Sequence, residues 1–264
     1  KRSFGSALIG YLSGAGKRIG FATEGRRFLL TTAVPYRHDQ HEMQNFLDVL
    51  RADGVPVLDN YLEAWLTDEE KQFSEQFFKT VGVAPKELVI GIHPFAANPA
   101  RAWHLDNFIE LARRLQERYA ARILFFGGPR DTEALPEIRA ALTEPPLEAV
   151  GSTTLRQTMA LLSRCRLLVC NDSGIMHLAA SLRVPLVALF GPQSPVKFGP
   201  WGESCRVVSQ QFPCSPCKQK FFTECEPSPR GKPMCMEAIT VEAVLTECET
   251  QVPWPGEQKN KATQ

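Results

Sequence analysis

The chain has 264 residues, 44% of them hydrophobic and 22% charged, enough to bury a sizeable core as one large domain or two smaller ones. Thirty basic residues against twenty-nine acidic ones leave a formal charge of +1, so no overall field draws in nucleic acid, and no nucleic-acid partner is expected. The longest apolar runs, residues 167–170 and 184–190, fall far short of the roughly 20 residues of a membrane helix, so any membrane contact is predicted to be peripheral.

Along residues 1–60, Phe4, Ala7, Leu8, Tyr11 and Leu12 recur at helical spacing, Arg18-Ile19-Gly20-Phe21 reads as a short strand, and residues 42–50 read as a second helix. That is too little for a complete sheet domain. Lys1 stands where Met would open a chain, and neither a signal segment nor a small-residue cleavage site follows it. The expectation is a cytoplasmic fragment with sequence before it. The polar, helix-like stretch 67–80, followed by Gly82 and Pro85, reads as a connection spanning residues 67–85.

From Leu88 onward, short apolar runs alternate with amphipathic segments. Residues 88–92, 123–126, 147–150, 167–170 and 186–190 read as buried parallel strands. Between the first two, Leu105, Phe108, Ile109, Ala112, Leu115 and Tyr119 fall on one helical face. Further helices are predicted over 131–142, 154–163 and 174–182, which gives the alternation of a doubly wound α/β domain over about residues 86–205. The alternation leaves the order of the strands open. Residues 253–264 are polar and predicted to be a flexible end.

Two nucleotide signatures are absent. Gly10-Tyr11-Leu12-Ser13-Gly14-Ala15-Gly16-Lys17-Arg18 has Tyr11 where a phosphate loop needs its first glycine, and Arg18 where it needs Ser or Thr. No predicted strand leads into a G-x-G-x-x-G turn, so a dehydrogenase loses its support.

The segment Asn171-Asp172-Ser173-Gly174-Ile175-Met176-His177 is more specific, because it follows a buried strand directly and opens a helix. Gly174 lets a ligand approach the backbone, Ser173 offers a hydroxyl, and the unpaired N–H groups of a first helical turn favour a diphosphate without a metal. Asp172 beside two phosphates would repel them, so it is read either as a helix cap or as an acceptor for sugar hydroxyls. His177 lies on the same helical face as Gly174 and could donate to phosphate or serve as a hydrogen-bonded structural histidine.

Two more loops follow strands at this sheet edge, residues 93–103 and 127–131. In the first, Arg101 could clamp phosphate while Trp103 could anchor the following helix in the core. In the second, Asp131 could bind a ribose hydroxyl or cap the next helix. Of eight cysteines, Cys165 and Cys170 fall at an apolar strand and read as packing. Cys214, Cys217, Cys225 and Cys235 could ligate a structural zinc, remain reduced, or form a redox-sensitive loop; only the first two have C-x-x-C spacing.

Residues 171–180, followed by Pro185-Leu186-Val187-Ala188-Leu189-Phe190-Gly191-Pro192, resemble the signature of glycosyltransferase family nine, the heptosyltransferases of lipopolysaccharide assembly. The likeness extends to Arg2-Ser3-Phe4 and Arg18-Ile19-Gly20-Phe21, and through the C-x-x-C segment to Cys235-Met236. It implies a GT-B architecture. Residues 1–66 would be the remainder of a truncated N-terminal Rossmann-like domain on the acceptor side, and residues 86–252 a complete C-terminal Rossmann-like domain with a Cys-rich tail. The family's Lys-Arg-Trp-Pro segment matches Arg101-Ala102-Trp103-His104, which puts Arg101 in the place of the phosphate-binding lysine and leaves Ala102 and His104 as departures.

The resemblance further implies that Asp172, Ser173, Gly174, Met176 and His177 surround the diphosphate and heptose of ADP-heptose, with Asp131 near the nucleoside. The acceptor is the lipopolysaccharide inner core, reached by peripheral contact at the inner face of the inner membrane. Attack proceeds with inversion, assisted by an Asp near the start of the first domain that is not among these residues. No cofactor is required. Arg101 and Asp172 are the residues expected to serve the reaction. The competing readings are a GT-B enzyme using another nucleotide sugar for a different surface glycan, and a catalytically inactive nucleotide-binding fragment.

Overall fold

The computed structural model describes residues 3–210, 212–217, 225 and 228–251. The flexible end expected over 253–264 lies outside them. The chain divides into two compact units, one running up to Asn60 and including Val196–Phe198, the other made of the remainder from Tyr61 onward.

In the first unit, helix α1 (Phe4–Leu12) is capped by the Ser3 hydroxyl and packs on a single turn of 3-10 helix, Arg26–Leu29. Strand β1 (Ile19–Phe21) pairs in parallel with β2 (Thr32–Val34), and helix α2 (Glu42–Ala52) packs on both. The second strand was not predicted, since Thr32-Ala33-Val34 is too short to display alternation.

The second unit opens with α3 (Asp68–Thr80), which Thr67 and Glu70 start with a reciprocal capping box. Its strands are β3 (Val89–His93), β4 (Arg122–Gly127), β5 (Leu147–Val150), β6 (Leu167–Asn171), β7 (Leu186–Phe190) and β8 (Cys205–Ser209). They form one six-stranded sheet in the order β5-β4-β3-β6-β7-β8, with every pairing parallel. Counted from β3, this is the 3-2-1-4-5-6 order of a dinucleotide-binding fold, whose strand order reverses between β3 and β6.

Five strands match the predicted runs to within a residue at either end. Strand β8 was missed because it is an edge strand with only Val208 buried, so it carries no continuous apolar run. On one face, Ile90, Ile92, Ile123, Phe125, Leu167, Val169, Val187 and Leu189 join a single core with residues of α4 (Leu105–Tyr119), α5 (Leu135–Ala141) and α9 (Val241–Gln251). Alternate strand residues point to the opposite face, where α7 (Gly174–Ser181) packs on β6 and β7, and α3 packs on α6 (Leu155–Leu162). A short helix α8 (Met234–Glu237) precedes α9 and packs on β7.

The helix predicted over 131–142 is split. Residues Pro129–Ala134 form 3-10 turns and only Leu135–Ala141 is α-helical. Pro136 has no N–H to give the carbonyl four residues back, so an α-helix cannot run unbroken through that position.

Candidate functional site

The C-terminal ends of β3, β4 and β6 surround a hollow of about 770 Å³ lined by residues of 93–101, 128–131 and 172–175. It opens where the strand order reverses, the place at which open α/β sheets bind ligands.

Strand β6 delivers Asn171 and Asp172 to this edge, and α7 starts immediately afterwards. Ser173 occupies the N-cap position in extended conformation, yet its hydroxyl makes no capping bond to the helix. It lies instead 3.5 Å from Nδ1 of His93 at the end of β3. The reading of Asp172-Ser173 as a plain side-chain cap is therefore not what this structure adopts. Gly174 is exposed, and a Cβ built there meets no protein atom within 4 Å. Nothing in the packing calls for glycine at that position, and the added atom would occupy space at the mouth of the hollow.

Asp172 is only 8% exposed, and a guanidinium nitrogen of Arg101 stands 3.3 Å from its Oδ2. Burial pushes the carboxyl above its ordinary range, while Arg101 pulls in the opposite direction. Oδ2 accepts no hydrogen bond among the described residues, so the contact is a charge pairing rather than a well-aligned hydrogen bond. The repulsion expected between Asp172 and a bound diphosphate is thus offset by the very arginine expected to hold phosphate. Residue 101 reaches this point because Pro99–Arg101 make a short 3-10 turn, started by the Asn98 side chain accepting from the Ala100 N–H.

Trp103 turns away from the hollow. It is 1% exposed, its Nε1 donates to the Ile239 carbonyl at 2.8 Å, and its ring meets Phe108 edge-on. It takes the place of a core anchor for the following helix. Asp131 lines the hollow, but its Oδ2 accepts the Gly128 N–H at 2.7 Å, so this carboxylate closes its own turn.

Met176 and His177 stand apart from the other predicted ligands. Met176 is fully buried in α7, His177 is half-buried, and neither lines the hollow. Of the first turn of α7, only Gly174 and Ile175 line the hollow. Ile175, not singled out in the sequence, does line it, as do Phe95, Asn98 and Arg130.

His93 is the residue that sequence reasoning undervalued. Burial lowers its imidazole from 6.5 to about 4, although the nearby Asp131 charge acts the other way, so at neutral pH it is an uncharged ring. Its signal was positional: it is the last residue of the strand on one side of the point where the strand order reverses. Only the strand order reveals that.

Among the four cysteines considered for zinc, Cys214 is exposed, Cys217 and Cys225 are half-buried, and Cys235 is buried. Burial, reinforced by the other three cysteines, pushes the Cys235 thiol up to about 11. Among the described residues no group of three or more His, Cys, Asp or Glu side chains is placed to hold a metal. Burial also raises the thiols of Cys165, to about 12, and of Cys170, in keeping with packing roles.

Comparison with known proteins gives the family. Residues 1–225 match the model of glycosyltransferase family 9 (heptosyltransferase). The chain is 33% identical to lipooligosaccharide heptosyltransferase 2 of Haemophilus influenzae over 78% of its length, and equally so to lipopolysaccharide heptosyltransferase 2 of Escherichia coli. It spans 63% and 62% of those two relatives, respectively. Among solved structures, a family 9 glycosyltransferase from Veillonella parvula superposes with a TM-score of 0.80 at 25% identity, covering 93% of this chain and 70% of the other. The E. coli ADP-heptose lipopolysaccharide heptosyltransferase II superposes at 0.71 with 26% identity, covering 95% and 74%. These neighbours bear out the expected α/β class with Rossmann-like, GT-B parentage. With the family match running through most of its residues, the chain belongs to glycosyltransferase family 9, the heptosyltransferase family.

Proposed function

We propose that the protein transfers heptose from ADP-heptose to the lipopolysaccharide inner core, with inversion, and that the hollow at the β3–β6 reversal binds the donor. The supporting observation is the pairing of Arg101 with Asp172 beside the first turn of α7. A cation and the start of a helix that has no side-chain cap meet there, a combination that suits a diphosphate. The relatives' names supply the sugar and the acceptor.

In this reading the acceptor oxygen bonds to the anomeric carbon as that carbon's bond to the diphosphate oxygen breaks. The acceptor proton passes to a base that the family resemblance puts outside these residues. ADP departs with the bonding electrons, and Arg101 with the α7 N-terminus stabilises the charge that develops on it. Asp172 accepts hydrogen bonds from hydroxyls of the transferred sugar. The reaction takes place at the inner face of the inner membrane by peripheral contact, consistent with the lack, among the described residues, of any helix long and apolar enough to cross a bilayer.

Calorimetry with ADP, UDP and ADP-heptose tests this reading. ADP is expected to bind in preference to UDP, and Arg101→Ala to weaken ADP by about tenfold or more, the loss of one charge-assisted contact. Asp172→Ala is expected to affect ADP-heptose more than ADP. Equal affinity of wild type and Arg101→Ala for ADP would remove the proposed site. A second reading, a different nucleotide sugar, is favoured by the departures at Ala102 and His104; UDP binding more tightly than ADP would select it. The roles given to Arg101 and α7 need no metal, so chelation is expected to leave ADP affinity unchanged, while metal analysis of protein purified without chelator tests a structural zinc at the cysteines.

A further inference from the structure

Asn171, the first residue of the glycosyltransferase segment, has no part in the roles above. It ends β6 and is fully buried. Its side-chain amide spans the reversal between β6 and the loop that follows β3. Nδ2 donates to the Pro94 carbonyl at 2.8 Å, and Oδ1 accepts the Trp103 backbone N–H at 3.0 Å.

Those two partners stand at opposite ends of the segment that carries Arg101. Pro94 is the first residue after β3. Trp103 is the last but one before α4, and its indole is fixed separately by Ile239. One amide therefore closes the loop into a ring of fixed size, with Arg101 on its perimeter. The residue next to Asn171 is Asp172, which meets Arg101 at 3.3 Å. The end of β6 thus locates both members of the pair: Asp172 directly, and Arg101 through the loop that Asn171 holds.

The geometry points to Asn171 as a positioning residue for diphosphate recognition, its amide holding the 94–103 loop so that Arg101 stands beside Asp172 at the hollow. The inference rests on the diphosphate reading of that hollow. An aliphatic side chain at 171 would leave the Pro94 C=O and the Trp103 N–H buried without their partner, a loss that the loop relieves by moving.

A double-mutant cycle read by ADP calorimetry tests it. Asn171→Ala is expected to weaken ADP about tenfold when Arg101 is present and less than about twofold in the Arg101→Ala background, because residues that act through one another are not additive. A general packing lesion would instead impose the same loss in both backgrounds. Should the alanine variant fail to fold, Asn171→Asp carries the same cycle. It keeps the shape and the acceptor for Trp103 but sets an oxygen against the Pro94 carbonyl. Additive losses, or wild-type affinity in a folded Asn171 variant, would overturn the inference while leaving the diphosphate reading intact. If Arg101→Ala binds ADP as well as wild type does, the diphosphate reading falls, and the role of Asn171 falls with it.

Discussion

Two corners of the same sheet edge each carry an aspartate just past the end of a strand, and they use it differently. After β4, Asp131 folds back to accept the Gly128 N–H and closes the 3-10 turns Pro129–Ala134. After β6, Asp172 is buried against Arg101, and the hydroxyl of Ser173 leaves the start of α7 without a side-chain cap. One corner satisfies its own polar groups. The other leaves its helix start without a side-chain cap, with Arg101, Asp172, Ser173 and Gly174 all lining the hollow. A carboxylate at the start of a helical segment is therefore not one signal but two, and the side chains that reach it from other strands decide which.

His93 touches both corners, since its ring lies beside the Ser173 hydroxyl and responds to the Asp131 charge. Its folded value of about 4, against an ordinary 6.5, means that the native state binds this proton less readily than the unfolded chain. The stability it contributes is complete above the unfolded value and is lost as pH falls through the folded one, roughly 3 kcal/mol in all. Urea titrations of wild type and His93→Gln at about pH 7 and pH 4 are expected to differ by that amount in their pH dependence. Parallel losses in the two proteins would mean that His93 is not held as a neutral ring.

Gly174→Ala probes the open corner. A methyl there meets no protein atom, and alanine is the better helix former, so the variant is expected to be as stable as wild type or up to about 1 kcal/mol more stable. Its ADP affinity is expected to fall about tenfold as the methyl enters the ligand's space. Thermal unfolding and calorimetry on one sample check both halves; unchanged affinity would close that corner to the ligand.

The smallest effect belongs to the closed corner. Asp131→Ala is expected to cost about 1 kcal/mol of stability through the lost turn bond, with ADP affinity within about threefold of wild type. A larger fall in affinity would give Asp131 the nucleoside role that the family resemblance allots it, and would make the two corners more alike than their geometry indicates.

Much of this was legible in the residues. Strands β3 to β7 announce themselves because both faces of a parallel sheet are buried and the runs are almost purely apolar. Thr67 and Thr154 mark the starts of α3 and α6, each with a partner three residues on that completes a reciprocal cap. The end of α4 was not marked, because Ala120 adopts a left-handed conformation at φ 50° where glycine is usual. Arg101, Asp172, Ser173 and Gly174 were identified as a group and do meet. Met176 and His177 were included through the family resemblance, and His177 also through the face it shares with Gly174; Met176 is fully buried in α7 and neither lines the hollow.

The sequence by itself determined the alternation of strand and helix, the location of the Asn171–Gly174 turn, and the family, because these are written in local periodicity and in short contiguous motifs. The tertiary structure decided the strand order, and with it the meeting of β3 and β6 that brings His93 to Ser173, Arg101 to Asp172 and Trp103 to Asn171. Each of these pairs joins residues about 70 to 80 positions apart, and contacts of that span depend on which strands lie side by side, a choice that no local pattern encodes.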